Sequence, residues 1–158
     1  MSQNSTVQAE SVARWVTFRL EEELYGIDVM QIREVLRCPE VSPVPGAPAF
    51  VLGIINLRGS VVAIIDTRSR FNLPPREVDD NSRILILDAG EHMVGYLVDG
   101  VSEVAELQGG AIEQAPDTGR GDASRFITGL YNCKAGLLIL LDASRMLTEE
   151  ELAELSVI

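Results

Sequence analysis

Apolar and polar side chains alternate over Val16-Thr17-Phe18-Arg19-Leu20, stop at Glu21-Glu22-Glu23, and alternate again over Leu24-Tyr25-Gly26-Ile27. A period of two puts successive side chains on opposite faces of a strand, so this stretch predicts a hairpin with one wet face and a charged turn. From Asp28, which can cap a helix, the apolar positions change to Val29, Ile32, Val35 and Leu36. That spacing predicts a short helix with Gln31, Arg33 and Glu34 turned outward. Pro39 ends it, because the residue before a proline is pushed out of the helical region. Pro43, Pro45 and Pro48 then hold residues 41–49 in an extended loop.

The loop feeds the stretch on which the chain is organised, Gly53 to Arg68. Ile54-Ile55 and Val61 to Ile65 flank the polar interruption Arg58-Gly59-Ser60, and β-branched runs around a Gly-containing turn read as a second hairpin. Its strands are apolar at nearly every position, so both faces are expected to be buried. Arg58 at the tip reads either as a solvated turn residue or as a recognition residue presented by a rigid element. A brief helical turn is expected from Thr67 to Phe71, then strands at Ile84 to Leu87, Val94 to Val98 and Val101 to Val104. A last hairpin is expected over Phe126 to Tyr131 and Gly136 to Leu141. Thr148-Glu149-Glu150-Glu151 has the spacing of a capping box, which starts a C-terminal helix within 148–158.

The two halves also match each other. Gly26-Ile27-Asp28-Val29 with Ile32-Arg33-Glu34-Val35 lies over Gly95-Tyr96-Leu97-Val98 with Val101-Ser102-Glu103-Val104. Gly53 to Gly59 lies over Gly129 to Ala135, and in the same register Asp66 lies over Asp142. A repeat of this size predicts two similar small β-barrels sharing a seam, each too small to be robust alone.

Charge narrows the partners. The net charge is −11 and Lys134 is the single lysine. Nucleic acid and anionic membrane both demand clustered cations, so neither fits. No apolar run is long enough to span a bilayer, and the polar start MSQNSTVQAES is unlike a signal peptide, so a cytoplasmic location is expected. The two cysteines, Cys38 and Cys133, form no C-x-x-C and read as reduced thiols buried as small hydrophobes, in preference to a disulfide framework or a metal site. Catalytic chemistry is thinly supplied. His92 is the only histidine and sits beside a turn, there is no G-x-S-x-G, P-loop or G-x-G-x-x-G, and Asp66 and Asp142 read as helix caps. A binding module is favoured over a hydrolase using His92 or a ligand-carrying barrel, since barrels this small fill with their own side chains.

Gly53-x-Ile55-Asn56-Leu57-Arg58-Gly59, continued by Ile65-Asp66-x-Arg68 and Phe71, resembles the signature of the CheW-like family of chemotaxis coupling proteins. Tyr25-Gly26-Ile27-Asp28, Ile32-x-Glu34-Val35, Pro48-x-Phe50-Val51-x-Gly53 and Val98-Asp99-Gly100-Val101 add to it, over about residues 14–150. Ala63 and Thr67 depart from the family, which usually has proline and leucine there. The resemblance implies an all-β fold of two interleaved five-stranded SH3-like barrels with short helices. The first would take about 14–45 plus 125–147 and the second about 48–113, after a flexible tail at 1–13. It implies an adaptor without catalysis or cofactor, peripheral to membrane receptor arrays. Such an adaptor couples the cytoplasmic tip of a methyl-accepting chemoreceptor to the regulatory domain of a CheA-type histidine kinase; a related adaptor of a pilus-motility pathway is the alternative. Position in the motif puts receptor contacts at Ile32, Glu34, Val35, Asn56, Arg58 and Gly59. Exposed apolar positions near Val41, Ile84 and Val104 are the kinase-contact candidates.

Overall fold

In the computed structural model, which describes residues 12–89, 91–114 and 125–156, β1 (Val12–Leu20) and β2 (Glu23–Asp28) form the predicted first hairpin. Eight further strands follow: β3 (Ile32–Arg37), β4 (Val51–Leu57), β5 (Ser60–Asp66), β6 (Arg83–Ala89), β7 (His92–Val98), β8 (Gly100–Gln108), β9 (Ile127–Cys133) and β10 (Gly136–Leu141). They make two five-stranded sheets, in the orders β8-β1-β2-β10-β9 and β3-β6-β7-β5-β4. Each sheet contains one parallel pair, β2 with β10 and β5 with β7. Expected tail residues Val12 and Ala13 belong to β1; the rest of that tail lies outside the described residues.

The topology follows the internal repeat strand for strand. Laid over each other, β2 matches β7, β3 matches β8 and β4 matches β9, and each pair holds equivalent places in the two sheet orders. Small details repeat too. An isolated bridge joins Ser42 to Ile54 and another joins Glu113 to Leu130, while Asp66 and Asp142 donate their backbone N–H to the carbonyls of Phe50 and Phe126. The glycines aligned there have a steric reason. A Cβ on Gly53 would lie 2.3 Å from the Ser42 carbonyl oxygen, and one on Gly129 would lie 2.7 Å from Ile112 Cγ2 and 3.1 Å from the Glu113 carbonyl oxygen.

Segment exchange goes further than the sequence predicts. β3 was placed in the first barrel (14–45 plus 125–147) and β8 in the second (48–113), but β3 pairs with β6 of the second sheet and β8 with β1 of the first. The chain crosses between sheets just before each of these strands. The expected helix from Asp28 is also corrected. Asp28 does cap, its carboxylate accepting the Met30 N–H at 2.9 Å, but only a 3₁₀ turn, Val29–Gln31, follows before Ile32 becomes extended. β-branched Ile32 and Val35 then pair with β6, and sheet hydrogen bonds outweigh a helical spacing only a few residues long.

Three apolar clusters hold the fold. A small one lies within each sheet: Ile55, Val62, Ile64, Ile84 and Ile86 in the second, and Leu107, Leu138 and Leu140 in the first. The largest is shared, joining Phe18, Tyr25 and Ile27 to Ile65, Leu85 and Tyr96. Aromatic rings run through it from Phe18 to Tyr25, Phe71 and Phe126. Burial on both faces holds for the second strand of the central hairpin only over Val62–Ile65, since Val61 is 61% exposed, and it fails for the first strand, where burial alternates and Leu52 and Asn56 are exposed.

After β5 comes α1 (Thr67–Arg70), and α2 (Glu149–Leu155) is the C-terminal helix, started by the predicted capping box of Thr148 and Glu151. Arg70 ties α2 down: Nη2 donates to Glu151 Oε1 at 2.8 Å and to the Met146 carbonyl at 2.6 Å, and Nη1 donates to Glu151 Oε2. Burial raises the Glu151 pKa, but hydrogen bonds from Arg70 and Thr148 together outweigh it and leave the carboxyl below the ordinary glutamate range. A folded pKa below the unfolded one contributes stability above the unfolded value and loses it as pH falls through the folded value. Docking of α2 is therefore expected to weaken as pH falls from neutral through the ordinary glutamate range and below it. Amide exchange in α2 should accelerate over that window in the parent protein and already be fast at neutral pH in Glu151→Gln. Equal protection at both pH values in the parent would refute this.

Candidate functional site

The β4–β5 hairpin closes in two residues, since Leu57 pairs with Ser60. Arg58 (φ 50°) and Gly59 (φ 89°) both take left-handed conformations, which is the requirement of a type I′ turn, the turn whose twist matches a hairpin. Glycine adopts φ > 0 freely, but an arginine there is costly, and side chains held in such conformations cluster at recognition sites. Asn56 supports the turn, its side-chain carbonyl accepting the Gly59 N–H at 3.0 Å.

Opposite the tip stands Glu34. β3 and β4 are the two edges of the second sheet, so only a curled sheet brings them together. The Arg58 guanidinium forks onto the Glu34 carboxylate, Nη2 donating to Oε1 and Nη1 to Oε2 at 3.5 Å. First through that hydrogen bond and then through its charge, Glu34 raises the Arg58 pKa above its ordinary value. The Arg58 side chain stays 70% exposed, against 29% for Glu34. The guanidinium is thus aimed but not covered, which leaves donors for a partner. An exposed pair of this kind adds little to stability.

The structure gathers Glu34, Asn56, Arg58 and Gly59 into this corner. Ile32 and Val35 are placed differently from a helical reading: burial alternates along β3, Ile32 packs on the shared core, and Val35 points outward at 40% exposure. Of the kinase-contact candidates, Val104 is 52% exposed on edge strand β8, and Val41 is half-buried at a hollow of about 350 Å³ shared with Leu52, Arg68 and Asp99. Ile84 is corrected. It sits on β6, flanked by β3 and β7, and is fully buried in the second sheet's own cluster, so it offers no surface.

Sequence reasoning quoted Arg68 and Asp99 only as motif residues and gave them no role. Arg68, buried at 6% exposure, donates from Nε to the Pro74 carbonyl at 2.7 Å, from Nη1 to Asp99 and from Nη2 to Glu21. Asp99 also accepts the Glu21 backbone N–H at 2.8 Å and Arg76 Nη1 at 3.3 Å. The one readable signal was an arginine two residues after Asp66, directly behind a buried strand. His92 Nε2 lies 3.1 Å from Ser156 Oγ, and Asp66 and Asp142 cap turns as expected, accepting the N–H groups of Ser69 and Ser144. No helix among the described residues is long and apolar enough to cross a membrane.

Comparison with known proteins agrees with this geometry. The CheW-like domain profile matches residues 14–151. The chemotaxis protein CheW of Klebsiella aerogenes is 35% identical over 150 residues, covering 94% of this chain and 90% of that protein. CheW of Treponema pallidum is 32% identical, covering 89% and 85%. The crystal structure of the scaffolding protein TtCheW from Thermoanaerobacter tengcongensis superposes with a TM-score of 0.78 at 32% identity, over 86% of this chain and 92% of that one. The profile match over residues 14–151 and relatives 32–35% identical along nearly the whole chain place it in the CheW-like family, the non-catalytic coupling adaptors of chemotaxis signalling.

Proposed function

We propose that the protein bridges two components of a chemosensory array: the cytoplasmic tip of a methyl-accepting chemoreceptor and the regulatory domain of a CheA-type histidine kinase. It works in the cytoplasm, at the receptor membrane but not inserted in it. The observation that carries this reading is the Arg58–Glu34 corner, an exposed guanidinium held in a costly backbone conformation by a carboxylate from another strand. A receptor tip is a helical coiled coil, whose apolar seam and flanking charges call for apolar contact edged by a charged fork. Val35 and Ile32 would supply the first, and Glu34, Arg58, Asn56 and Gly59 the second. The kinase domain shares the CheW-like fold, so its contacts would be strand-rich and apolar, and Val41 and Val104 remain the positions for them.

Arg58→Ala should keep the fold and melting temperature, since the side chain is largely exposed, while weakening binding of receptor or kinase domain by about tenfold or more. Calorimetric titration against each partner separately measures this. Unchanged affinity for both, in a variant whose spectrum matches the parent, would overturn the assignment. Glu34→Lys reverses the charge of the same corner and should disturb receptor binding in the same assay.

A further inference from the structure

The chain passes between the sheets at two places, and different chemistry fastens each. At the first, the 3₁₀ turn Val29–Gln31, a neutral amide does the holding: Gln31 Nε2 donates to Asp142 Oδ1 at 2.9 Å and Gln31 Oε1 accepts the Ala143 N–H at 3.1 Å. At the second, the whole crossing is one residue, Asp99, between β7 and β8. Its N–H donates to the Arg19 carbonyl of β1 at 3.0 Å, and its carboxylate takes Arg68, Arg76 and the Glu21 N–H. The repeat puts Met30 where Asp99 stands and Ser144 where Arg68 stands, and Met30 is 87% exposed. The ionic fastening therefore has no counterpart at the first crossing.

Apolar burial is non-directional and tolerates small rotations of one sheet on the other. A planar guanidinium does not, because its donors lie in a fixed fork. Each arm of the Arg68 fork reaches a different segment: Pro74 beyond α1, Asp99 at the crossing, and Glu21 at the tip of the first sheet's β1–β2 hairpin. The side chains of Arg68 and Asp99 are 7% and 10% exposed, so solvent and salt screen this pair little, whereas Glu21 is 43% exposed and forms the wetter arm.

We propose that the Arg68–Asp99–Glu21 network is the joint that sets the angle between the two sheets, with Arg68 as a positioning residue. Through it, occupancy of the Arg58 corner on the second sheet and of the Val104 face on the first affect each other. The second half of this rests on the two-partner reading above; the first half does not. Spin labels at Val61→Cys on the second sheet and Leu137→Cys on the first, in a Cys38→Ala, Cys133→Ala background, report the angle as a distance distribution. The parent should give one narrow distance. Arg68→Lys keeps the charge but cannot fork, and Asp99→Asn keeps the shape but not the charge; in both, the distribution should broaden or split, whereas Gln31→Met should leave it narrow. A role in stability alone would lower melting temperature without moving the distances. Narrow, parent-like distances in whichever of the two variants is folded would overturn the joint. With partners added, binding of one domain should change the parent's affinity for the other by a factor of about 5 to 150, and this factor should fall toward one in Arg68→Lys. Broadened distances with an unchanged factor would overturn the coupling role. A parent that binds neither partner overturns the proposed function and leaves the joint to be decided by the distances.

Discussion

Phe126→Ala will destabilise the protein by about 3–5 kcal/mol, the range for removing a fully buried aromatic ring from a core that cannot collapse. Phe126 is completely buried and meets Phe71 edge-on, ring centroids 5.3 Å apart; Phe71 meets Tyr25 in the same way at 4.8 Å, and Tyr25 stacks on Phe18 at 5.7 Å. The rings come from β1, β2, the residue after α1 and the residue before β9, and they lie in the apolar cluster that joins the two sheets. The backbone is pinned on the C-terminal side of the ring, by the Asp142 N–H donating to the Phe126 carbonyl at 2.8 Å and by β9 beginning at the next residue. Little can move in to fill the hole. Because the cluster around Phe126 holds residues of both sheets, they should still unfold together. Denaturant unfolding of the variant should show one transition with a lower midpoint and an unchanged slope. Two separated transitions, or a loss below about 1 kcal/mol, would mean that each sheet is held by its own small cluster and that the shared core is incidental.

How much of this could be read from the chain depended on sequence distance. The β1–β2 and β4–β5 hairpins were legible because alternation, turn residues and pairing partner all lie within one short window. Ile32 to Leu36 was misread as helix because its spacing fits a helical period, and the competing partner, Arg83 to Leu87, lies on a different part of the chain. The repeat showed which segments correspond but not which sheet each joins, since the exchange turns on the brief crossings at Val29–Gln31 and Asp99. Arg58 stood out in its motif, yet its pairing with Glu34 needed the sheet to curl. Ile84 failed for a related reason: an apolar residue in a strand is surface or core according to the neighbours of that strand, and β6 has one on each side. The Arg68 network was least legible, because a buried arginine is defined by the carboxylates that meet it, and these come from a hairpin tip and a crossing elsewhere in the chain.

Arg68→Ala is the second change expected to cost several kcal/mol, for an electrostatic reason. Removing one partner of a buried ion pair leaves the other charge desolvated and uncompensated, at a cost of about 3–5 kcal/mol. Here the stranded group is Asp99, 10% exposed, left with the Arg76 guanidinium at 3.3 Å and the Glu21 backbone N–H at 2.8 Å. Arg76 is itself half in solvent, so its help is partial and the expected loss lies toward the lower end, about 3 kcal/mol. The Pro74 carbonyl also loses its donor, but Pro74 is exposed, so water can replace it at little cost. The same logic predicts recovery. Adding Asp99→Asn to Arg68→Ala removes the stranded charge and should return part of the stability, even though the double variant has fewer contacts than either parent. A double-mutant cycle by chemical denaturation separates the two explanations. If the losses simply add, Arg68 acts through packing alone and its buried charge is not the reason the two sheets are fastened at this crossing. Partial recovery would mean that the crossing is held by charge, with Asp99 stable in the seam only because Arg68 is there.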